Sequence, residues 1–204
     1  MANTKVEICN LALSRLGGMG SIEDIDNPVK EAEIVCSKWY DVSRRTALRQ
    51  MMPSFAKKRA CWPQAASYKP AFGYQYAYKY QGDCLKLLGV GNLYEKENTY
   101  TIEDGYILTN EFYPDGLPVR YIQNVSDISR FSDDFVSIFA WFLARDICME
   151  LTENAEKFNM LENILPMKIA EVCGVDSQEN KPIRIERSLL KSARIGLKGT
   201  GSKA

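Results

Sequence analysis

Histidine is absent from the 204 residues, and no two of the six cysteines lie closer than the 23 positions between Cys61 and Cys84. Without imidazole there is no Ser-His-Asp or Cys-His nucleophile system, and no metal site that needs a histidine ligand. Cys9, Cys36, Cys61, Cys84, Cys148 and Cys173 form no CxxC pair, which argues against zinc ribbons and thioredoxin-type redox chemistry. Net charge is missing too: 26 Lys and Arg balance 26 Asp and Glu, so no whole-chain attraction to nucleic acid is expected. No apolar run approaches the ~18 residues of a transmembrane helix, and Lys5 and Glu7 interrupt the stretch where a signal peptide needs its apolar core. These absences predict a soluble chain made in the cytoplasm, with free and mostly buried thiols. They also predict no enzyme: no catalytic residue, no metal and no cofactor. What is present, 46% hydrophobic and 25% charged residues, suits one domain with a smaller insert that buries roughly 70% of its unfolded surface.

Helical periodicity marks both ends of the chain. Residues 4–16 read as a helix with Val6, Cys9, Leu13 and Leu16 on one stripe. Thr4 and Glu7 form a capping box, and Gly17 and Gly18 stop the helix. Pro28 suits the first turn of a second helix over 28–51, in which Ala32, Cys36, Trp39, Ser43 and Ala47 recur at helical spacing and Pro53 ends the run. Between 70 and 123 the period changes to two. Tyr74, Tyr76, Tyr78 and Tyr80 alternate onto one face, and short apolar runs follow at 85–90, 100–102, 106–108 and 119–122. Glu103-Asp104-Gly105 and Pro114-Asp115-Gly116 supply two hairpin turns. This predicts one antiparallel sheet of four or five strands.

Residues 133–151 are apolar nearly all round: Phe135, Ile138, Phe139, Phe142 and Met149 on one side, Ala140, Leu143, Ala144, Ile147 and Leu151 on another. Such a helix belongs inside a bundle. A fourth helix over 154–173 turns Phe158, Leu161, Leu165, Ile169 and Val172 inward, with Gly174 as its cap. The predicted fold class is α+β: a four-helix bundle with an inserted small antiparallel β domain and an extended C-terminal tail. Residues 1–66 and 133–174 are assigned to the bundle, 67–132 to the insert and 175–204 to the tail. From 181 to 204, seven Lys or Arg face one acid, Glu186, a local charge of +6 that leaves −6 on residues 1–180. Arg184, Arg187, Lys191, Arg194 and Lys198 keep helical spacing, with Ile185, Leu189 and Ala193 interleaved. A membrane surface, nucleic acid or an acidic protein surface would each attract such a segment.

Other signals have plainer readings. The loop Gly17-Gly18-Met19-Gly20-Ser21 follows a helix and lacks the P-loop lysine, so it is no phosphate cradle. Gly196 to Lys203 only scrambles that motif. The Tyr strand with Lys69 and Lys79 suits a stacking platform for single-stranded nucleic acid, but cross-strand packing or a subunit contact explains the same alternation. Trp39, Trp62 and Trp141 read as core or interface residues. Glu23, Asp24, Asp26, Glu31, Glu33 and the Asp133-Asp134 pair read as caps and solvated acids.

Ile8-Cys9-Asn10-Leu11-Ala12-Leu13 with Leu16-Gly17, then Ala32, Cys36, Tyr40-Asp41 and Arg44, then Leu48-Arg49, Pro53, Phe55-Ala56 and Lys58-Arg59, form an ordered series. Tyr76-Ala77-Tyr78, Asp83-Cys84-Leu85-Lys86-Leu87-Leu88, Tyr121-Ile122, Phe135, Leu143-Ala144 and Leu151-Thr152 continue it. The series, over about residues 5–173, resembles the tail tubular protein A family of tailed bacteriophages, the head-to-tail adaptors or connectors. Ser54 stands where that family usually has Trp, and Gly82 where Pro is common. The resemblance implies a structural protein of the virion at the head–tail junction. It implies a ring, typically twelvefold, beneath the portal protein, which extends the DNA channel, helps retain the genome and offers a platform to the tail nozzle. Double-stranded DNA would pass without sequence recognition, and no membrane is involved. The expected portal-docking residues are Arg184, Arg187, Leu189, Lys191, Arg194 and Lys198. Tyr74, Tyr76, Tyr78 and Tyr80 are the expected subunit or tail interface. The alternative is a small nucleic-acid-binding protein using the Tyr-rich strand and the basic tail.

Overall fold

A computed structural model describes residues 4–18, 20–91 and 100–179. Two helices come first, α1 (Lys5–Arg15) and α2 (Glu31–Met51), followed by six strands. These are β1 (Lys57–Trp62), β2 (Tyr76–Lys79), β3 (Cys84–Val90), β4 (Tyr100–Glu103), β5 (Tyr106–Thr109) and β6 (Leu117–Gln123). Helices α3 (Asp133–Thr152) and α4 (Ala155–Glu179) complete the described chain. The architecture is α+β, with four helices and two small antiparallel sheets.

Local chemistry sets the helix ends. The Thr4 hydroxyl accepts from the Glu7 N–H at 3.1 Å while the Glu7 carboxylate accepts from the Thr4 N–H at 2.7 Å, the expected capping box. Helix α2 begins at Glu31 rather than in a turn containing Pro28. The reason is the Glu33 carboxylate, which accepts from the N–H groups of Val29, Lys30 and Glu23. Residues 28–30 are thereby fixed as an extended entry, with Lys30 at φ −76° and ψ 149°. The α2 helix stops where Met52 turns left-handed, at φ 50°, just ahead of Pro53. Ser132 caps α3 by accepting from the Phe135 N–H, so Asp133 and Asp134 occupy the first turn. Helix α4 runs through Gly174 to Glu179 instead of ending there. A helical glycine is disfavoured by only about 1 kcal/mol, too little to stop a helix by itself.

Helix α3 packs against α1, α2 and α4, which accounts for its apolar character on nearly every side. Phe135, Ile138, Phe139, Phe142, Leu143 and Ile147 have essentially no exposed surface. Met149, expected on that buried stripe, is instead exposed near the helix end. The main core gathers Ile8, Cys9, Leu13, Cys36, Ala47 and Leu48 around them.

The strands form two three-stranded sheets, ordered β1-β6-β3 and β2-β5-β4, rather than the one sheet of four or five expected. The first strand begins the β region at Lys57, within the segment assigned above to the helices. Its first three residues, Lys57, Lys58 and Arg59, are all exposed cations, so alternation shows only over 59–62, and its pairing partner β6 lies far along the chain, so no local turn announces it. Asp104 and Gly105, both at positive φ (48° and 75°), close the β4–β5 hairpin as expected. The turn at 114–116 joins the two sheets instead of closing a hairpin within one, since β5 and β6 lie in different sheets. Gly116 is required there: φ is 94°, and a Cβ would sit 2.8 Å from the Trp62 carbonyl oxygen.

Strand β6 divides the molecule. Successive side chains on a strand point to opposite faces. Leu117, Val119 and Tyr121 join a second, smaller core with Trp62, Tyr78, Cys84 and Ile107 from both sheets. Ile122 faces the other way, into the helical core.

Candidate functional site

On the Ile122 side, beyond the helices, the β1-β6-β3 sheet continues into solvent. The register pairs Arg59 directly with Arg120, and Cys61 with Pro118. Gly89 lies opposite Arg120 on the other flank. These residues line a groove of about 360 Å³. A Cβ on Gly89 would meet nothing within 4 Å, so the floor beside Arg120 is open. The Gly91 N–H donates to the Pro118 carbonyl at 2.8 Å and closes the far end.

The two guanidiniums carry charge that the described residues do not neutralise. Ion pairs elsewhere hold Lys5, Lys30, Lys38, Arg44, Lys58, Arg145 and Lys168, but no described acid lies within ion-pair distance of Arg59 or Arg120. The Arg120 Nε is buried without a hydrogen-bond partner among the described residues. Like charges directly opposite on neighbouring strands oppose sheet formation. A neighbouring hollow of about 580 Å³, between the end of α2, β3 and α4, adds Arg49 and Lys86, with Thr46, Gln50 and Ile169 in its wall.

Polar contacts fix the end of β6 beyond the groove. Asp83 accepts from the Tyr121 hydroxyl at 3.1 Å and from Gln123 Nε2 at 3.1 Å. Burial, ahead of these contacts, raises the Tyr121 pKa. The Arg44 guanidinium, nearly fully buried, donates to Asn124 Oδ1 and to the Val125 carbonyl, and pairs with Asp41. It thus ties α2 to the segment that leaves β6.

No protein-family model and no curated protein matches this chain.

The sequence-predicted site residues lie elsewhere. Tyr76, Tyr78 and Tyr80 do share one core, as alternation requires. Tyr78 has no exposed surface; its hydroxyl accepts from the Tyr113 N–H at 3.0 Å. Tyr76 packs on Phe112 and Tyr80 on Trp62, with ring centroids 5.3 and 5.4 Å apart. Tyr74 precedes the strand and is half-buried. This leaves no face of the Tyr78 ring for a base or another subunit, and only the outer parts of the other three. Arg184, Arg187, Leu189, Lys191, Arg194 and Lys198 lie outside the described residues.

Among the cysteines, Cys9, Cys36, Cys84 and Cys148 are buried, while Cys61 is exposed in the groove. Sequence reasoning missed Arg59 and Arg120 as a pair. The available signal was alternation: Arg59 and Cys61 interleave with Ala60 and Trp62, and Arg120 with Val119 and Tyr121. A cation at the outward position of two strands is conspicuous only once those strands are paired.

Proposed function

We propose that the chain is a structural head-to-tail adaptor of a tailed bacteriophage, not an enzyme. The observation that carries this reading is the ordered motif series, many of whose apolar members are buried, although Leu11 is exposed. Ile8, Cys9, Ala12, Leu13 and Leu16 of the first helical segment share the helical core with Leu143 and Ala144 of α3. Tyr121 and Ile122 sit back to back on the dividing strand. In this reading the four helices form a bundle that packs side by side into a ring of typically twelve copies beneath the portal. The β region projects toward neighbouring tail components, and residues 184–198 dock on the portal. Double-stranded DNA passes through the ring without sequence recognition, and the protein resides at the head–tail junction of the virion after synthesis in the host cytoplasm.

The test is light scattering of the full chain, and of a truncation ending at Ser177, with and without a portal ring. The full chain is expected to join the portal and the truncation to remain free. Failure of both constructs to bind portal, combined with salt-dependent DNA binding by the full chain, would favour the nucleic-acid-binding alternative. The buried Tyr78 weighs against a stacking platform, whereas the unpaired Arg59 and Arg120, with Arg49 and Lys86 in the neighbouring hollow, favour that alternative.

A further inference from the structure

We propose that the groove between Arg59 and Arg120 is a binding site for a phosphate group, carried either by a free phosphate or by the backbone of DNA. The inference is independent of the adaptor reading and stands on the β1-β6-β3 sheet alone. Three observations converge. Arg59 and Arg120 are direct cross-strand partners, so their Cβ atoms stand about 5 Å apart and both side chains leave the same face. Neither has an acid or acceptor among the described residues, and the Arg120 Nε is buried unpaired. Beside them the sheet is bare, because Gly89 leaves the groove floor without a side chain.

The chemistry selects the ligand. A carboxylate offers about four acceptor directions, all in one plane, and one guanidinium fork takes its bidentate edge. Two forks arriving from adjacent strands are met better by tetrahedral phosphate, whose acceptor directions are more numerous and not confined to a plane. Placing that anion between the guanidiniums converts a like-charge repulsion into two charge-assisted contacts. The open floor at Gly89 then leaves room for the body that carries the phosphate.

Cys61 supplies the reporter. It is the exposed thiol among the described cysteines, and it lies on the same face as Arg59. A ligand seated in the groove must slow its alkylation. The experiment measures the rate of iodoacetamide modification at Cys61 in the full chain, resolved from Cys173 by peptide mapping. The probes are pyrophosphate, a short DNA duplex and a Glu-rich peptide, each against sodium chloride at matched ionic strength.

Pyrophosphate or duplex at ten times its Kd is expected to slow modification roughly tenfold. The protection is expected to vanish in Arg59→Gln/Arg120→Gln. It should also vanish in Gly89→Val, which keeps both arginines and fills the floor; circular dichroism verifies that each variant is folded. Protection by both probes identifies a free phosphate as sufficient, and protection by duplex alone identifies the phosphodiester backbone. In the duplex case the double variant should lower the salt slope of binding by about 2. Three results would overturn the proposal: no protection by either phosphate probe, protection that survives both variants, or protection by the Glu-rich peptide alone.

Discussion

The helical half and the β half treat their charges differently. Glu33 and Arg44, the buried charges among the described residues of the helical half, both have their needs met: three backbone N–H groups hold the Glu33 carboxylate, and Asp41, Asn124 and the Val125 carbonyl surround the Arg44 guanidinium. Ser43 donates to Asp146, which also takes Arg145. Across β6, Arg59 and Arg120 face each other with no described counter-charge. Core size differs in the same direction, since the β module closes around a much smaller apolar cluster than the helices do. The helical half also leaves a buried polar atom unpaired, the Tyr40 hydroxyl, but that group is neutral, whereas the buried charges of that half are met by described residues. The β module leaves two facing guanidiniums without a counter-charge among the described residues.

The largest expected effect separates the two cores. Phe139→Ala removes a ring that has no exposed surface and meets Tyr40 edge-on at 5.0 Å. Urea unfolding should show a loss on the order of 4 kcal/mol, with helices and sheets failing together because α3 is central. Leu117→Ala in the smaller core is expected to lose about 3 kcal/mol. Its amide-exchange protection should fall first in the two sheets while α1 and α3 stay protected. Equal loss everywhere would mean that the two clusters act as one cooperative unit, which would erase the comparison.

A smaller effect sharpens the contact between the sheets. Gly116→Ala forces a Cβ against the Trp62 carbonyl at φ 94°, whereas Gly105→Ala meets open space at φ 75°. Both incur left-handed strain of about 1–3 kcal/mol, so denaturation midpoints should place Gly116→Ala clearly below Gly105→Ala. Similar midpoints would show that the β1 end yields easily.

The smallest effect concerns only acid conditions. Three backbone N–H donors, led by that of Lys30, hold Glu33 down from the ordinary 4.5 to about 2. A carboxylate whose folded value is depressed contributes stability that is complete above the unfolded value and is lost as pH falls through the folded one. Stability should therefore decline between pH 4.5 and 2, and Glu33→Gln should flatten that decline while removing stability at neutral pH. Parallel curves for the two proteins would assign acid sensitivity to other carboxylates.

Local determinants in this chain were legible and distant ones were not. The Thr4–Glu7 box, the Asp104-Gly105 hairpin and the apolar girth of α3 each follow from residues a few positions apart. Tyr76, Tyr78 and Tyr80 also fell on one face, as strand periodicity demands. The division into two sheets depends on which strands meet, and β1 with β6 is a long-range pairing that local patterns do not encode. Pro28 misled because a side chain further on, Glu33, sets the start of α2. Gly174 misled because a single weak helix former does not outweigh its flanking turns. The candidate groove was invisible for the same reason as the sheet division: Arg59 and Arg120 become neighbours only through the register of β1 on β6.

The adaptor reading meets its most direct test in electron-microscope imaging of a portal ring incubated with the full chain. The predicted result is one added ring of density with a subunit for each portal position, on a single face of the portal, with the β modules turned away from it. A portal ring without added density, together with the chain decorating free DNA at moderate salt, would contradict that reading.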